Sequence, residues 1–120
     1  MYKLAYEQVQ TNMEMLKADA ASRSMRSWPG KSPTTTRPNR YFALAHGVGM
    51  TGEYPYVVHR EDIDALGYDG VFEAGMTICV ESYIGHDEAA KGQARRADLY
   101  HEHGIELLSD YPFDPRLLPS

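Results

Sequence analysis

Two residues of this 120-residue chain raise chemical questions that their neighbours sharpen. Glu81 closes the run Ile78-Cys79-Val80, and a carboxylate there is costly to bury unless a cation, a metal ion or several donors answer it. Either it faces water from a half-exposed strand or it has a partner. His46 ends the alternating segment 41–46 just before Gly47-Val48-Gly49. A histidine so placed is more often a hydrogen-bonded structural residue than a ligand, and spacing alone does not pair it with Glu81.

The remaining candidates are weaker. Gly47-Val48-Gly49-Met50-Thr51-Gly52 spells the dinucleotide fingerprint after a strand. That motif needs a helix whose N-terminus faces the pyrophosphate, whereas the continuation Glu53-Tyr54-Pro55-Tyr56-Val57-Val58 is strand-like. Cys79 has no C-x-x-C companion, so its simplest reading is a small core residue. His86, His101 and His103 fall in polar segments; His101-Glu102-His103 could bind a metal weakly, but a solvated turn is the plainer reading. Tyr54 and Tyr56 beside Pro55 suggest a partly wet cleft lining.

Elements that would position these residues follow from periodicity. Leu4, Ala5, Val9, Met13 and Leu16 recur near helical spacing, which predicts an amphipathic helix over 1–17. From 18 to 40 the periodicity vanishes in a Ser, Pro, Thr and Arg-rich stretch that reads as irregular. From Tyr41 onward the chain reads as β-rich. Strands are expected over 41–46, with Phe42, Leu44 and His46 on one side, over 54–59, and over 77–83. In the last, Ile78 and Val80 share one face while Cys79, Glu81 and Tyr83 share the other. Residues 61–70 form a polar connection, and 98–100 and 105–108 are weaker strands joined by a turn at Gly104. No internal repeat is visible.

Composition bounds the function. Leu, Ile, Val and Phe are 22 of 120 residues, about 18%, which is lean for a self-sufficient core. No apolar run approaches the ~20 residues of a membrane span. No secretory signal is visible at Met1-Tyr2-Lys3-Leu4, and one Cys excludes a disulfide framework, so a cytoplasmic location is expected. Residues 1–40 carry a net charge of +4 and residues 41–120 carry −9. The basic stretch has a single aromatic, Trp28, and adjoins an acidic remainder, so it reads as a solvated linker rather than a nucleic-acid arm.

Ala45-His46-Gly47-Val48-Gly49-Met50-Thr51-Gly52-Glu53-Tyr54-Pro55, followed by Glu73-Ala74-Gly75-Met76-Thr77-Ile78-Cys79-Val80-Glu81, resembles the closing half of the pita-bread metallohydrolases. That family includes methionine aminopeptidase, Xaa-Pro peptidase and creatinase, and its pattern is H-G-x-G, H-E-x-P, then P-G-M with a following Glu. The wording of 41–50, Cys79-Val80-Glu81-Ser82-Tyr83-Ile84-Gly85 and 106–114 is nearest the dimethylsulfoniopropionate lyase branch. The resemblance covers about 41–92 and 104–118. It implies the C-terminal part of an α+β pita-bread domain over 41–120, a curved antiparallel sheet covered by the first helix.

It further implies two divalent ions per intact site (Fe, Mn, Co or Zn), a small-molecule substrate (dimethylsulfoniopropionate or an Xaa-Pro dipeptide), no nucleic-acid or membrane partner, and a homodimer. His46 matches the family's His ligand and Glu81 its first Glu ligand; Glu53 matches the second motif and carries a candidate catalytic role. The catalytic His or acid expected before Glu53 is Gly52. The paired Asp ligands would precede Met1, and the second Glu, expected in a Gly-x-Lys-Leu-Glu segment, falls where this chain has Gly92-Gln93-Ala94-Arg95-Arg96. One His and one Glu cannot hold two ions. The chain as written is expected to be inactive, a relic or an interaction module being the non-catalytic alternative.

The two anomalous segments share a codon-level explanation. Gln93-Ala94-Arg95 encoded as CAA-GCT-CGA before a G reads Lys-Leu-Glu one base later. Likewise Lys31 to Arg37, written AAA-TCC-CCG-ACG-ACT-ACC-CG(N), becomes Lys-Ile-Pro-Asp-Asp-Tyr with one more leading A. Accurate resequencing of the gene with its upstream bases is expected to restore Lys-Leu-Glu and paired Asp codons. An unchanged frame through both segments would refute the explanation.

Overall fold

The computed structural model describes residues 1–19, 39–67, 70–85, 91–101 and 103–118. Helix α1 spans Tyr2–Asp19. Ala5, Val9, Met13 and Leu16 recur at helical spacing on its buried stripe and face the sheet, whereas Leu4, expected in the same stripe, is exposed.

Five strands follow: β1 (Ala43–Val48), β2 (Gly52–Val58), β3 (Thr77–Gly85), β4 (Lys91–His101) and β5 (Gly104–Leu107). They form one sheet in the order β2-β1-β3-β4-β5, antiparallel throughout. The fold is therefore α+β, as the sequence suggests. A 3-10 turn (Arg60–Asp62) and one helical turn, α2 (Ile63–Leu66), lie in the polar connection expected over 61–70.

Register decides what faces what. Ala45 pairs with Val80, His46 with Cys79 and Gly47 with Ile78. Successive residues of a strand point to opposite faces, so Ala45, Ile78, Val80 and Ile84 go to the α1 side and join Val9, Leu16, Ala94 and Tyr100 in one cluster. Each fully buried aliphatic side chain of this cluster contributes roughly 1.5–3 kcal/mol. Ser82, on the same face, donates to Gln8 Oε1 of α1. The opposite face is left with His46, Cys79 and Glu81.

Two strands depart from the sequence reading. Residues 43–45 are all buried, and the β1/β2 register shifts between Ala43 and Ala45, so the alternation expected over 41–46 is interrupted. Strand β4 has eleven residues, against the three expected at 98–100. Its Gly92-Gln93 and Arg95-Arg96 carry no strand signal, and pairing along the whole of β3 supplies the order instead. Arg96 then ties down the C-terminal segment. Its Nη1 donates to the carbonyls of Ser109 (2.8 Å) and Tyr111 (2.7 Å). Its guanidinium lies 4.2 Å from the centroid of the Phe113 ring, and Phe113 meets Tyr6 of α1 edge-on at 4.8 Å.

At the end of β2, His59 is 2% exposed and donates from Nε2 to the Tyr41 carbonyl at 2.9 Å. Arg40 sits beside it, paired to Asp62 and Glu61. Burial, then the Arg40 charge, hold the His59 pKa below its ordinary value, against the opposing pull of the Tyr41 carbonyl, Asp62 and Glu61. A folded pKa below the unfolded one of about 6.5 means that, between the two, only the unfolded chain holds the proton. Stability is thus expected to fall as pH drops through about 6.5, and the loss to level off below the folded pKa. Urea midpoints measured from pH 7.5 to 4.5 check this: His59→Gln should flatten the part of the slope that this residue contributes.

Candidate metal centre

The β1–β3 ladder brings together two of the residues singled out in the sequence. His46 Nε2 lies 3.8 Å from Glu81 Oε1. Cys79, the register partner of His46, completes a group whose ligating atoms all lie within 4.8 Å of one another. Among the described residues this is the one such grouping of three or more His, Cys, Asp or Glu donors. Glu81 is 3% exposed, which answers whether it faces water: it does not.

His46 is oriented by its own strand. Its Nδ1 lies 2.8 Å from the Gly47 carbonyl, and an oxygen acceptor there makes Nδ1–H the donor. In the neutral ring this leaves the lone pair on Nε2, the nitrogen nearer Glu81 in the ion-pair contact, and ligating histidines are commonly held by such a bond to the other nitrogen. The 3.8 Å separation exceeds hydrogen-bond length. It is nevertheless shorter than the ~4.2 Å between two donors on opposite sides of one ion at ~2.1 Å each.

Gly47 itself is dictated by packing. A Cβ there would sit 2.1 Å from the Tyr54 carbonyl oxygen, because the β1/β2 register shifts between His46 and Gly47. The hairpin continues with Gly49 N–H donating to the Thr51 carbonyl at 3.1 Å and Met50 N–H to Glu53 Oε1 at 3.1 Å. Strand β2 follows directly, so no helix N-terminus exists at this turn and the glycine pattern is a hairpin, not a dinucleotide site. Tyr56 lies opposite His46, with ring centroids 5.9 Å apart, and its hydroxyl donates to the Gly52 carbonyl at 2.6 Å. Phe42 at 5.5 Å from Tyr56, and Tyr41 at 4.8 Å from Phe42, extend this aromatic row.

The other candidates separate from this group. Glu53 is exposed at the hairpin, where its carboxylate accepts the Met50 amide. His101 ends β4 and His103 is exposed in the following turn, while His86 and Glu102 lie outside the described residues. Cys79 is only half-buried and stands with His46 and Glu81, which corrects its reading as a small core residue. The signal was present in the strand period, since residues two apart share a face.

Imidazole nitrogen, thiol sulfur and a buried carboxylate fit one first-row transition ion; three donors do not fit two. What the fold and site define is thus an antiparallel sheet presenting a His, Cys and Glu group that could hold a metal ion, on the face away from its helix. No family model matches the chain. It is 36% identical over 114 residues to the dimethylsulfoniopropionate lyase DddP of Roseobacter denitrificans, covering 93% of this chain and 25% of that protein. It is 34% identical over 118 residues to the lyase of the same name from Roseovarius nubinhibens, covering 95% of this chain and 26% of that protein. The chain therefore spans about a quarter of the length of the curated relatives it matches.

Gly47→Ala tests how far the hairpin positions the histidine. The added methyl must displace the Tyr54 backbone, an overpacking cost of about 1–3 kcal/mol. Thermal unfolding should show the loss, and the His46 Nδ1 proton resonance should lose the signature of a hydrogen bond to a carbonyl.

Proposed function

We infer that the chain is the ligand-bearing, C-terminal segment of a dimethylsulfoniopropionate lyase-like enzyme of the pita-bread metallohydrolase class, with 41–120 as its sheet-forming part and the first helix as its cover. The observation that carries the reading is the 3.8 Å approach of His46 Nε2 to the buried Glu81 carboxylate, at the two residues that match the family's ligands. The similarity to two lyases of that substrate supports the branch. No observation favours the peptidase branch, since Glu53 is engaged at an exposed turn.

In such an enzyme a bound ion would act as a Lewis acid on the substrate carboxylate. The reaction removes a proton from the carbon next to that carboxylate and breaks the bond to sulfur, releasing dimethyl sulfide and acrylate. This chain's residues cover part of that work. His46 and Glu81 offer lone pairs from fixed positions. Gly52 stands where an acid or His would take the proton; a Cβ at that position would lie 3.4 Å from His46 Nδ1, so the position borders the site. The register partner of Glu81 is Arg95, a strand position at which a carboxylate would offer a further donor.

Purified chain is therefore expected to release no dimethyl sulfide from dimethylsulfoniopropionate by gas chromatography, yet to retain divalent metal in equilibrium dialysis. His46→Ala and Glu81→Gln should each abolish retention. Arg95→Glu exchanges a cation for a donor and should raise affinity by roughly tenfold or more. Absence of retention by the unaltered chain would favour the non-catalytic interaction module.

A further inference from the structure

We propose that this chain holds a single borderline-soft ion, Zn²⁺ or Co²⁺, through His46 Nε2, Cys79 Sγ and the Glu81 carboxylate together, making a mononuclear nitrogen, sulfur and oxygen centre. The inference rests on the metal reading above and deepens it by naming the third donor and the class of ion.

Three observations carry it. The backbone register sets His46 directly opposite Cys79, and Glu81 lies two residues further along the same strand and face. The donor positions are thus fixed by the sheet ladder rather than by a loop. The Nδ1 contact with the Gly47 carbonyl commits one side of the imidazole, which leaves the other nitrogen as the ligand. Finally, the three ligating atoms lie within 4.8 Å of one another, whereas donors ~2.0–2.3 Å from a tetrahedral ion stand roughly 3.4–3.7 Å apart. Side-chain rotation of about 1 Å closes that gap with no change in the strands.

Sulfur determines the ion. Thiolate selects Zn²⁺ and its neighbours, whereas a purely carboxylate and water environment suits Mg²⁺ and Mn²⁺. On binding, the Cys79 S–H bond breaks, its proton goes to solvent, and the sulfur lone pair enters the new bond to the ion. No electron is transferred, and the ion keeps its oxidation state.

Cys79 is the chain's one cysteine, so both readouts are unambiguous. The intact chain would be titrated with Co²⁺ and followed by its near-ultraviolet thiolate-to-cobalt charge-transfer absorption, and with Zn²⁺ and followed by the rate of Cys79 alkylation by iodoacetamide. The expected results are a charge-transfer band in the unaltered chain, alkylation slowed roughly tenfold or more by Zn²⁺ but not by Mn²⁺, and no band in Cys79→Ser. That variant should also bind Co²⁺ about tenfold or more weakly, given that even groups contacting a ligand indirectly cost 10–100-fold. Co²⁺ retained without the band and with unchanged alkylation would overturn the role of Cys79 while leaving the His46 and Glu81 reading intact. No metal retention would overturn both. Should Cys79→Ser fail to show the far-ultraviolet circular dichroism of the unaltered chain, protection from alkylation in the unaltered chain decides alone.

Discussion

The pairing of β1 with β3 is the constraint on which the rest of the molecule depends. With Ala45 opposite Val80 and His46 opposite Cys79, one face of both strands is apolar and the other bears donors. A slip of one residue would send His46 and Glu81 into the contact with α1 and expose Ile78 and Val80. Burial of Ile78, Val80 and Ile84 against Val9 and Leu16 therefore does more than stabilise the sheet. It fixes on which side, and beside which neighbours, the polar side chains emerge.

The apolar face depends in turn on residues that look unpromising as structural elements. Arg96 occupies a strand position facing the helix side, where a bare cation would be costly. Two carbonyls and an aromatic ring answer it, and the price is a C-terminal segment pinned against α1. Arg40 and His59 do similar work at the other edge of the sheet, joining the segment before β1 to the turn after β2. A chain with few large aliphatics thus closes its core partly through cations whose charge is spread over specific acceptors.

Much of this was legible in the sequence. The helical spacing of Val9, Met13 and Leu16 and the two faces of 77–83 read directly, because each follows from a single local period. His46 and Glu81 stood out by type and by their apolar neighbours, and their role as ligands came only with the resemblance; their approach to each other is a tertiary fact that no local pattern contains. Strand β4 was not legible as a whole, since Gly92, Gln93, Arg95 and Arg96 have weak strand propensity and are ordered by β3. Cys79 was misread for a different reason: its type suggested a core although the strand period already set it on the Glu81 face, and the register added His46 opposite it. Likewise the glycine pattern at 47–52 was ambiguous until the strand after it left no helix for a phosphate to meet.

The donors gathered among the described residues bear on what this segment could hold. A binuclear centre needs ligands for each ion and a shared bridge, and among the described residues one group of three donors, His46, Cys79 and Glu81, is brought together. What the sheet register builds in this chain is a nitrogen oriented by its neighbour's carbonyl, a buried carboxylate near it, and a sulfur opposite the nitrogen in the ladder.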